Sequence, residues 1–399
     1  MELFIVAIVL ILVTWWVLEY RRHISFRDNI PIRIHVNGTR GKSSVTRLIA
    51  GALREGGIRT VAKTTGTLPR FIFPDGSEEP IIRLGSANIL EQKTIICRAA
   101  QLGAKALVIE CMALQPEYQE ISEQKMINST VGVITNARPD HLEVMGPTED
   151  DVVDALSGTI KPRGICFTSE KERFKRLKDN AENMGAKLFL ADDTSITDED
   201  LEGFSYIEHR ENVAITLAVA GHYGIPRDIA LRGMHKCEPD FGALKVYKID
   251  FFGKKTLFYN GFAANDPEST STLWDKLGFQ PNKDEPIIVI VNNRADRPNR
   301  TVQLAEMLEE HIDANYFILV GTNTKLLFEK IIRTGMDVTD VFDMGDNTPD
   351  EVFERCMELT PRNSKIIGLG NIGGIGRDLL TYIEARSKNE NNHSEKDRG

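Results

Sequence analysis

The sequence has few cysteines, and none in a metal-binding spacing. The five (Cys97, Cys111, Cys166, Cys237 and Cys356) are scattered and odd in number, with no CxxC pair. That excludes a zinc finger or a disulfide framework and suits thiols in a reducing compartment. An excess of basic residues is also missing. The 49 Lys and Arg are outnumbered by 58 Asp and Glu, for a formal net charge of −9. The chain as a whole is therefore not built to bind nucleic acid, and an anionic substrate needs local basic clusters. Internal repeats are absent. The N-terminus lacks the leading positive charge and the small-residue cleavage site of a secretory signal, beginning Met1-Glu2.

What the N-terminus does have is an apolar run of 16 residues, Leu3 to Leu18, broken only by Thr14. A bilayer span needs about 20 residues. Trp15, Trp16 and Tyr20 then stand where interfacial aromatics stand, and Arg21-Arg22 follow as a basic flank. This order predicts a transmembrane anchor over residues 1–22 with its C-terminal side in the cytoplasm. The alternative is a buried core helix.

Beyond the anchor, strand-like and helix-like runs alternate, which predicts parallel α/β sheets. Strands are expected at Pro31–Val36, Lys105–Ile109, Val131–Thr135 and Gly164–Phe167, with helices at Ser44–Glu55 and Asn212–Tyr223. The pattern breaks around Cys237 to Gly242, and a second α/β run follows with strands at Pro286–Val291, Tyr316–Val320 and Lys365–Leu369. The tail from Ser387 is polar and is expected to be disordered.

The strongest local signal is Gly38-Thr39-Arg40-Gly41-Lys42-Ser43, between a predicted strand and a predicted helix. In such a loop backbone N–H groups face phosphates, the lysine supplies a point charge and the following hydroxyl holds Mg²⁺. The helix N-terminus, with Ser44 in its first turn, adds favourable partial charge. ATP with Mg²⁺ is the cofactor reading. The general pattern would put its first glycine at Val36, so this loop is a shortened form.

The short form resembles the loop of the Mur ligases and of folylpolyglutamate synthase. Glu110, after Ala106-Leu107-Val108-Ile109, stands where these enzymes place a metal-binding glutamate. Thr135-Asn136-Ala137-Arg138-Pro139-Asp140-His141 resembles their Asn…Asp-His element, whose histidine is a second metal ligand. Asn212 matches an asparagine near adenine, Phe262-Ala263-Ala264-Asn265 the opening of their C-terminal domain, and Asn293-Arg294-Ala295-Asp296-Arg297 their Gly-Gly-Asp-Arg segment. Within the superfamily, the anchor, Lys63-Thr64-Thr65-Gly66-Thr67, Glu110-Cys111-Met112-Ala113 and Gly370-Asn371-Ile372 look most like the ligase subunit of poly-γ-glutamate (capsule) synthases.

The resemblance implies an N-terminal transmembrane helix, a central P-loop parallel-sheet ATPase domain of Mur-ligase type (residues 23–238), a smaller Rossmann-like α/β domain (239–386) and the tail 387–399. It implies nucleotide binding by Gly38, Thr39, Arg40, Gly41, Lys42, Ser43, Ser44 and Asn212, and metal binding by Ser43, Glu110 and His141. Lys42, Glu110, His141, Arg294 and Arg297 are the expected catalytic set, the arginines capturing carboxylates through guanidinium forks. The substrates would be glutamate and a poly-γ-glutamate chain, and small membrane subunits the partners. Two family features are missing: no lysine stands in Ala155–Thr159, where many Mur ligases carry a modified one, and Asp240-Phe241 replaces a His-Arg pair.

The residues alone support ATP- and Mg²⁺-dependent transfer to a carboxylate. A folate-type glutamate ligase, an ATPase that energises assembly or export, and a non-catalytic scaffold are the alternatives. Gly368-Leu369-Gly370-Asn371-Ile372-Gly373 reads as a tight strand-to-helix turn, because the chain ends before a dinucleotide site would be complete. His35, inside a strand, reads as core.

Overall fold

The computed structural model describes the chain except residues 1, 67–68, 84, 86, 140, 205, 240–243, 263–266, 295–297, 346 and 397–399. Arg297, Asp140 and Ala263-Ala264-Asn265 therefore lie outside the described residues. The chain divides into two compact units, Met1–Asp240 and Phe241–Gly399.

Helix α1 (Glu2–Asp28) opens the first unit. It is long and apolar enough to cross a membrane, and none of its apolar window is buried by the rest of the chain. The helix does not stop at the Arg21-Arg22 flank. It continues because its last turns find packing partners: His23 Nε2 donates to Met126 O at 3.0 Å, and Phe26 packs on a cluster that contains Ile30, Ile95, Ile96 and Ala99.

The first unit is an eight-stranded sheet in the order β4-β3-β2-β5-β1-β6-β7-β8. Its strands are β1 (Ile32–Asn37), β2 (Thr60–Thr64), β3 (Arg70–Ile72), β4 (Glu78–Pro80), β5 (Ala106–Glu110), β6 (Val131–Ile134), β7 (Ile165–Thr168) and β8 (Lys187–Leu190). All pairings are parallel except those of β3 with β2 and β4. The central strands are buried on both faces between helical layers, β5 almost wholly apolar and β1 alternating Ile32, Ile34 and Val36 with the buried polar residues Arg33, His35 and Asn37. α2 (Lys42–Glu55) contributes Val45, Leu48, Ile49, Ala52 and Leu53 to the core of one face. α3 (Glu91–Gln101) covers the other with Ile95, Ile96 and Ala99.

The second unit is a six-stranded sheet in the order β13-β12-β11-β14-β10-β9. It comprises β9 (Val246–Phe251), β10 (Lys254–Asn260), β11 (Ile287–Asn293), β12 (Tyr316–Gly321), β13 (Val341–Asp343) and β14 (Asn363–Gly370). Only β9 is antiparallel to its neighbour. The expected strands over Pro286–Val291, Tyr316–Val320 and Lys365–Leu369 correspond to β11, β12 and β14. The last helix runs Ile375–Lys396 and so passes through the segment expected to be disordered from Ser387. Lysine and glutamate recur in that segment, and both are residue types with little cost in a helix.

Candidate functional site

Parallel pairing fixes where the first unit's polar residues gather. Val36 is opposite Glu110, Asn37 opposite Ile134 and Lys63 opposite Ile109. The carboxyl ends of β1, β2, β5 and β6 therefore share one edge, with the chain leaving β1 for α2 there, the edge at which open α/β sheets bind ligands.

Two glycines shape the loop after β1. Gly38 has φ +131°, and a Cβ there would lie 2.0 Å from Thr135 Oγ1. Gly41, at φ 76° and ψ 0°, caps α2 in the left-handed region, and a Cβ would lie 2.9 Å from Asn212 Oδ1. Asn136 holds the loop from β6: its Oδ1 accepts from Thr39 Oγ1 (2.7 Å) and Arg40 N (3.0 Å), and its Nδ2 donates to Arg40 O. Thr135 Oγ1 donates to the same carbonyl at 2.6 Å. Asn212, buried at the start of the helix Arg210–His222, is oriented by Nδ2 donating to Glu208 Oε1 at 2.8 Å. Gly41 offers no side chain to cap α2, so the amides of its first turn, Lys42 to Ser44, suit an anion. The Lys42 ammonium lies across the loop and donates to Gly38 O (2.6 Å) and Thr39 O (3.1 Å).

The structure brings Ser43 and Glu110 together. Ser43 Oγ donates to Glu110 Oε2 at 2.8 Å, and Thr65 N donates to the same oxygen at 2.7 Å. Gln92 Nε2 donates to the Glu110 carbonyl at 3.1 Å. Two neighbouring hard oxygen donors could supply part of the oxygen shell of a small divalent cation, the remainder being water or phosphate. His141 sits at the start of α5 (Leu142–Met145), after α4 (Pro116–Ile121), with φ 49° and its Nδ1 3.2 Å from Glu143 Oε1. Among the described residues no group of three or more His, Cys, Asp and Glu is placed to hold a metal ion.

Behind Glu110 lies a charge cluster that sequence reading did not assign. Lys63 is fully buried, its Nζ 2.9 Å from Glu91 Oε1 and 3.7 Å from Met112 Sδ. Arg83 grips the same carboxylate with two bonds, at 2.6 and 2.9 Å. Burial works to raise the Glu91 carboxyl, but Arg83 and Lys63 outweigh it and hold it at about 2. Burial lowers the Lys63 ammonium, with Glu91 opposing. Lys63 appeared in the sequence only as part of a motif, and a pairing across so many residues leaves no spacing signal. His35 is core: it is fully buried, and its Nδ1 lies 2.9 Å from Glu123 Oε2. Burial alone would lower this imidazole; Cys111 and the Glu123 carboxylate raise it to about 9.

The second unit carries its own crevice, about 710 Å³, at the carboxyl ends of β11, β12 and β14. β12 and β14 leave β11 on opposite sides, so the crevice sits at a topological switch point. Arg294 projects from the end of β11 and lies against Gly373, where a Cβ would meet its Nη1 at 2.4 Å. Asn292 holds the glycine-rich turn, its Nδ2 donating to Gly373 O at 2.8 Å and its carbonyl accepting from Asn371 N at 2.8 Å. Asn293 Nδ2 donates to Thr322 O at 2.8 Å. The Gly368–Gly373 segment is thus a strand-to-helix turn that also lines this crevice.

Comparison with known proteins agrees with this geometry. Residues 36–238 match the Mur ligase middle domain, and residues 246–386 match the poly-gamma-glutamate synthase CapB C-terminal domain. The chain is 38% identical over 384 residues to the capsule biosynthesis protein CapB of Bacillus anthracis, covering 96% of this chain and 82% of that protein. It is also 38% identical over 388 residues to the PGA synthase CapB of Bacillus subtilis (strain 168), covering 96% and 98%. Among solved structures it shares its fold with E. coli FolC in complex with ADP, at TM-score 0.71 and 15% identity over 92% of both chains. A bifunctional folylpolyglutamate synthase/dihydrofolate synthase from Yersinia pestis, complexed with AMPPNP and Mn ion, gives 0.67 at 14% identity over 91% and 92%. With a Mur-type sheet unit, a CapB-type second unit and this identity across nearly its whole length, the chain belongs to the CapB family of poly-γ-glutamate synthases, which are ligases.

Proposed function

We propose that this chain is an ATP- and Mg²⁺-dependent amide ligase that extends poly-γ-glutamate at the cytoplasmic face of a membrane. The observation that carries the reading is the pairing of Ser43 and Glu110, 2.8 Å apart, at the mouth of a glycine loop whose Gly38 and Gly41 both adopt positive φ. A carboxylate is a poor acylating agent, because its leaving group would be oxide. Transfer of the γ-phosphoryl group of ATP to the terminal carboxylate of the chain gives an acyl phosphate. The amino group of glutamate then attacks, the new C–N bond forms, and phosphate leaves from the tetrahedral intermediate.

In this reading the loop amides and the first turn of α2 bind the phosphates, and Lys42 places its ammonium against the transferring group. Asn212 orients the adenine end. Ser43 and Glu110, with His141, would hold Mg²⁺, which when bound neutralises charge on the phosphates and on the acceptor carboxylate. Thr65 N holds the Glu110 carboxylate toward the loop, and Gln92 fixes the Glu110 main chain through its carbonyl. Arg294, which lines the crevice of the second unit, captures the carboxylates of incoming glutamate or of the chain end, and Arg297 is assigned the same role from the sequence. That unit is read as a Rossmann-like domain, and α1 as a single span that keeps both units in the compartment that contains ATP. Small membrane subunits of the same synthase complete the assembly.

The test is ATP-dependent incorporation of labelled L- or D-glutamate into polymer by membranes carrying this chain, with and without its genomic neighbours. Incorporation that disappears in Lys42→Ala supports the reading. ATP hydrolysis indifferent to glutamate, with no polymer formed, replaces it with an assembly or export ATPase.

A further inference from the structure

We propose that the loop before α3, carrying Ile82 and Leu90, is a second membrane contact that seats the Glu110 site against the lipid surface. The proposal rests on α1 spanning the bilayer. β1 and β5 pair in parallel with Ile32 opposite Ala106, so the ends of α1 and α3 lie together. Near the start of α3, Lys93 pairs with Glu19 of α1. The two helices therefore run in the same direction, and the first turn of α3 points back along α1 toward its apolar run.

Depth then follows from helix geometry. Glu19 immediately precedes Tyr20, Arg21 and Arg22, the aromatic and basic residues suited to the headgroup layer. Leu90 adopts helical dihedrals (φ −60°, ψ −22°) as the cap of α3, three residues before Lys93. It shares the Lys93 face and lies about 4.5 Å nearer the bilayer. On α1 the same step from Glu19 leads to Trp16, which is 65% exposed. Leu90 is thereby set at the level of the aromatic belt, and it is 54% exposed. Ile82 is 82% exposed, and its neighbour Arg83 is clamped to Glu91 at the head of the same helix.

A bilayer interface is the occupant these observations favour, because Leu90 lies one helical turn beyond the Lys93–Glu19 pair, at the depth of the exposed Trp16 of the apolar run. The consequence concerns the site. The first turn of α3 pairs through Lys93 with α1, while Gln92 and Glu91 reach the Glu110 carbonyl and Lys63 on the other side. The carboxylate proposed to hold Mg²⁺ is thus only a few side chains from the membrane surface, and the chain end is extended beside the bilayer.

The experiment uses the full-length chain with Cys97→Ser and Cys237→Ser, reconstituted in phosphatidylethanolamine–phosphatidylglycerol vesicles whose lipids carry a nitroxide high on the acyl chain. An NBD fluorophore is placed on Leu90→Cys or, as control, on Phe189→Cys in edge strand β8. The result expected is a blue-shifted label at 90, quenched several-fold more strongly than the label at 189. Ile82→Cys gives the same reading if Leu90→Cys does not fold. A chain that floats with vesicles while the label at 90 stays water-like overturns the seat and leaves the anchor standing. A chain that does not float removes the anchor and the seat together. A label shielded only when the small membrane subunits are co-reconstituted makes the occupant protein and overturns the lipid contact.

Discussion

Glu91→Gln isolates the charge cluster behind Glu110. In the wild-type chain the Glu91 carboxyl falls from 4.5 to about 2 on folding, because Arg83 and Lys63 outweigh burial. That interval corresponds to about 3 kcal/mol of preferential interaction with the ionised form. The side chain is only 14% exposed, so solvent screening removes little of it. Lys63 does not gain symmetrically: its own ammonium is lowered by burial, so the pair as a whole contributes less than Glu91 alone suggests. Breaking the pair is nonetheless strongly destabilising, because the substitution would leave Lys63 and the Arg83 fork facing a neutral amide. The expected loss is about 3 kcal/mol, and the transition of the first unit falls by about 6–12 °C.

The sign of the pH dependence follows from the depressed carboxyl. Its stabilisation is fully present above 4.5, the unfolded value, and is lost as pH falls through about 2. Thermal and chemical unfolding of the full chain in detergent, wild type against Glu91→Gln, at about pH 7 and about pH 3, measures both. The difference between the two proteins should narrow by about 2 kcal/mol at the lower pH. A variant that unfolds together with wild type at neutral pH, or a gap that does not change between the two pH values, refutes the assignment of stability to this pair. Adding Lys63→Met to Glu91→Gln should recover part of the loss, because no buried ammonium is then left unpaired.

Three further outcomes test the site itself. Lys42→Ala should cut ATP turnover by about 10²–10³-fold, or roughly 3–4 kcal/mol of barrier, with an unchanged circular dichroism spectrum; near-normal turnover in the folded variant removes the phosphate-loop assignment. Glu110→Gln and His141→Ala should shift the Mg²⁺ titration of activity to higher concentration in at least one case, and two wild-type titration curves would dismiss the proposed ligand pair. Arg294→Ala should raise KM for glutamate or chain end and spare that for ATP, with Arg294→Lys recovering only part, since an ammonium cannot form the two-pronged contact; a change in the ATP constant alone reassigns Arg294 to nucleotide.

How far the sequence alone reached depends on the range of each interaction. The strand, glycine loop and helix around Gly38–Ser43 are contiguous, so composition and order describe them directly. The apolar strands β5 and β11 were readable because burial on both faces writes a nearly unbroken run of Val, Ile and Leu, and β1 because Ile32, Ile34 and Val36 alternate along it. Contacts made across the sheet were not readable. Lys63 meets Glu91, and Asn136 grips Thr39 and Arg40, only because parallel pairing brings separate strand ends to one edge. The full length of α1 was not readable for a related reason. Arg21-Arg22 ends the apolar run, but a helix stops where its packing stops, and His23 and Phe26 still have partners on the first unit.

The two units also differ in how they prepare for charge. Around Glu110 the supports are few and aimed at one carboxylate: a hydroxyl and a backbone amide on the same oxygen, with Gln92 on the carbonyl of the same residue. In the proposed reaction a carboxylate so held would need little reorganisation on binding a cation. Around Arg294 the neighbouring side chains Asn292 and Asn293 are neutral amides bonded to loop backbones. They fix the crevice walls and bring no charge of their own. In the proposed reading the Arg294 guanidinium receives a substrate that brings its own carboxylates, either glutamate or a polymer end, in a crevice that Asp378 also lines. Selectivity between those two must then come from geometry beyond the arginine, because charge alone treats the α-carboxylates of both alike.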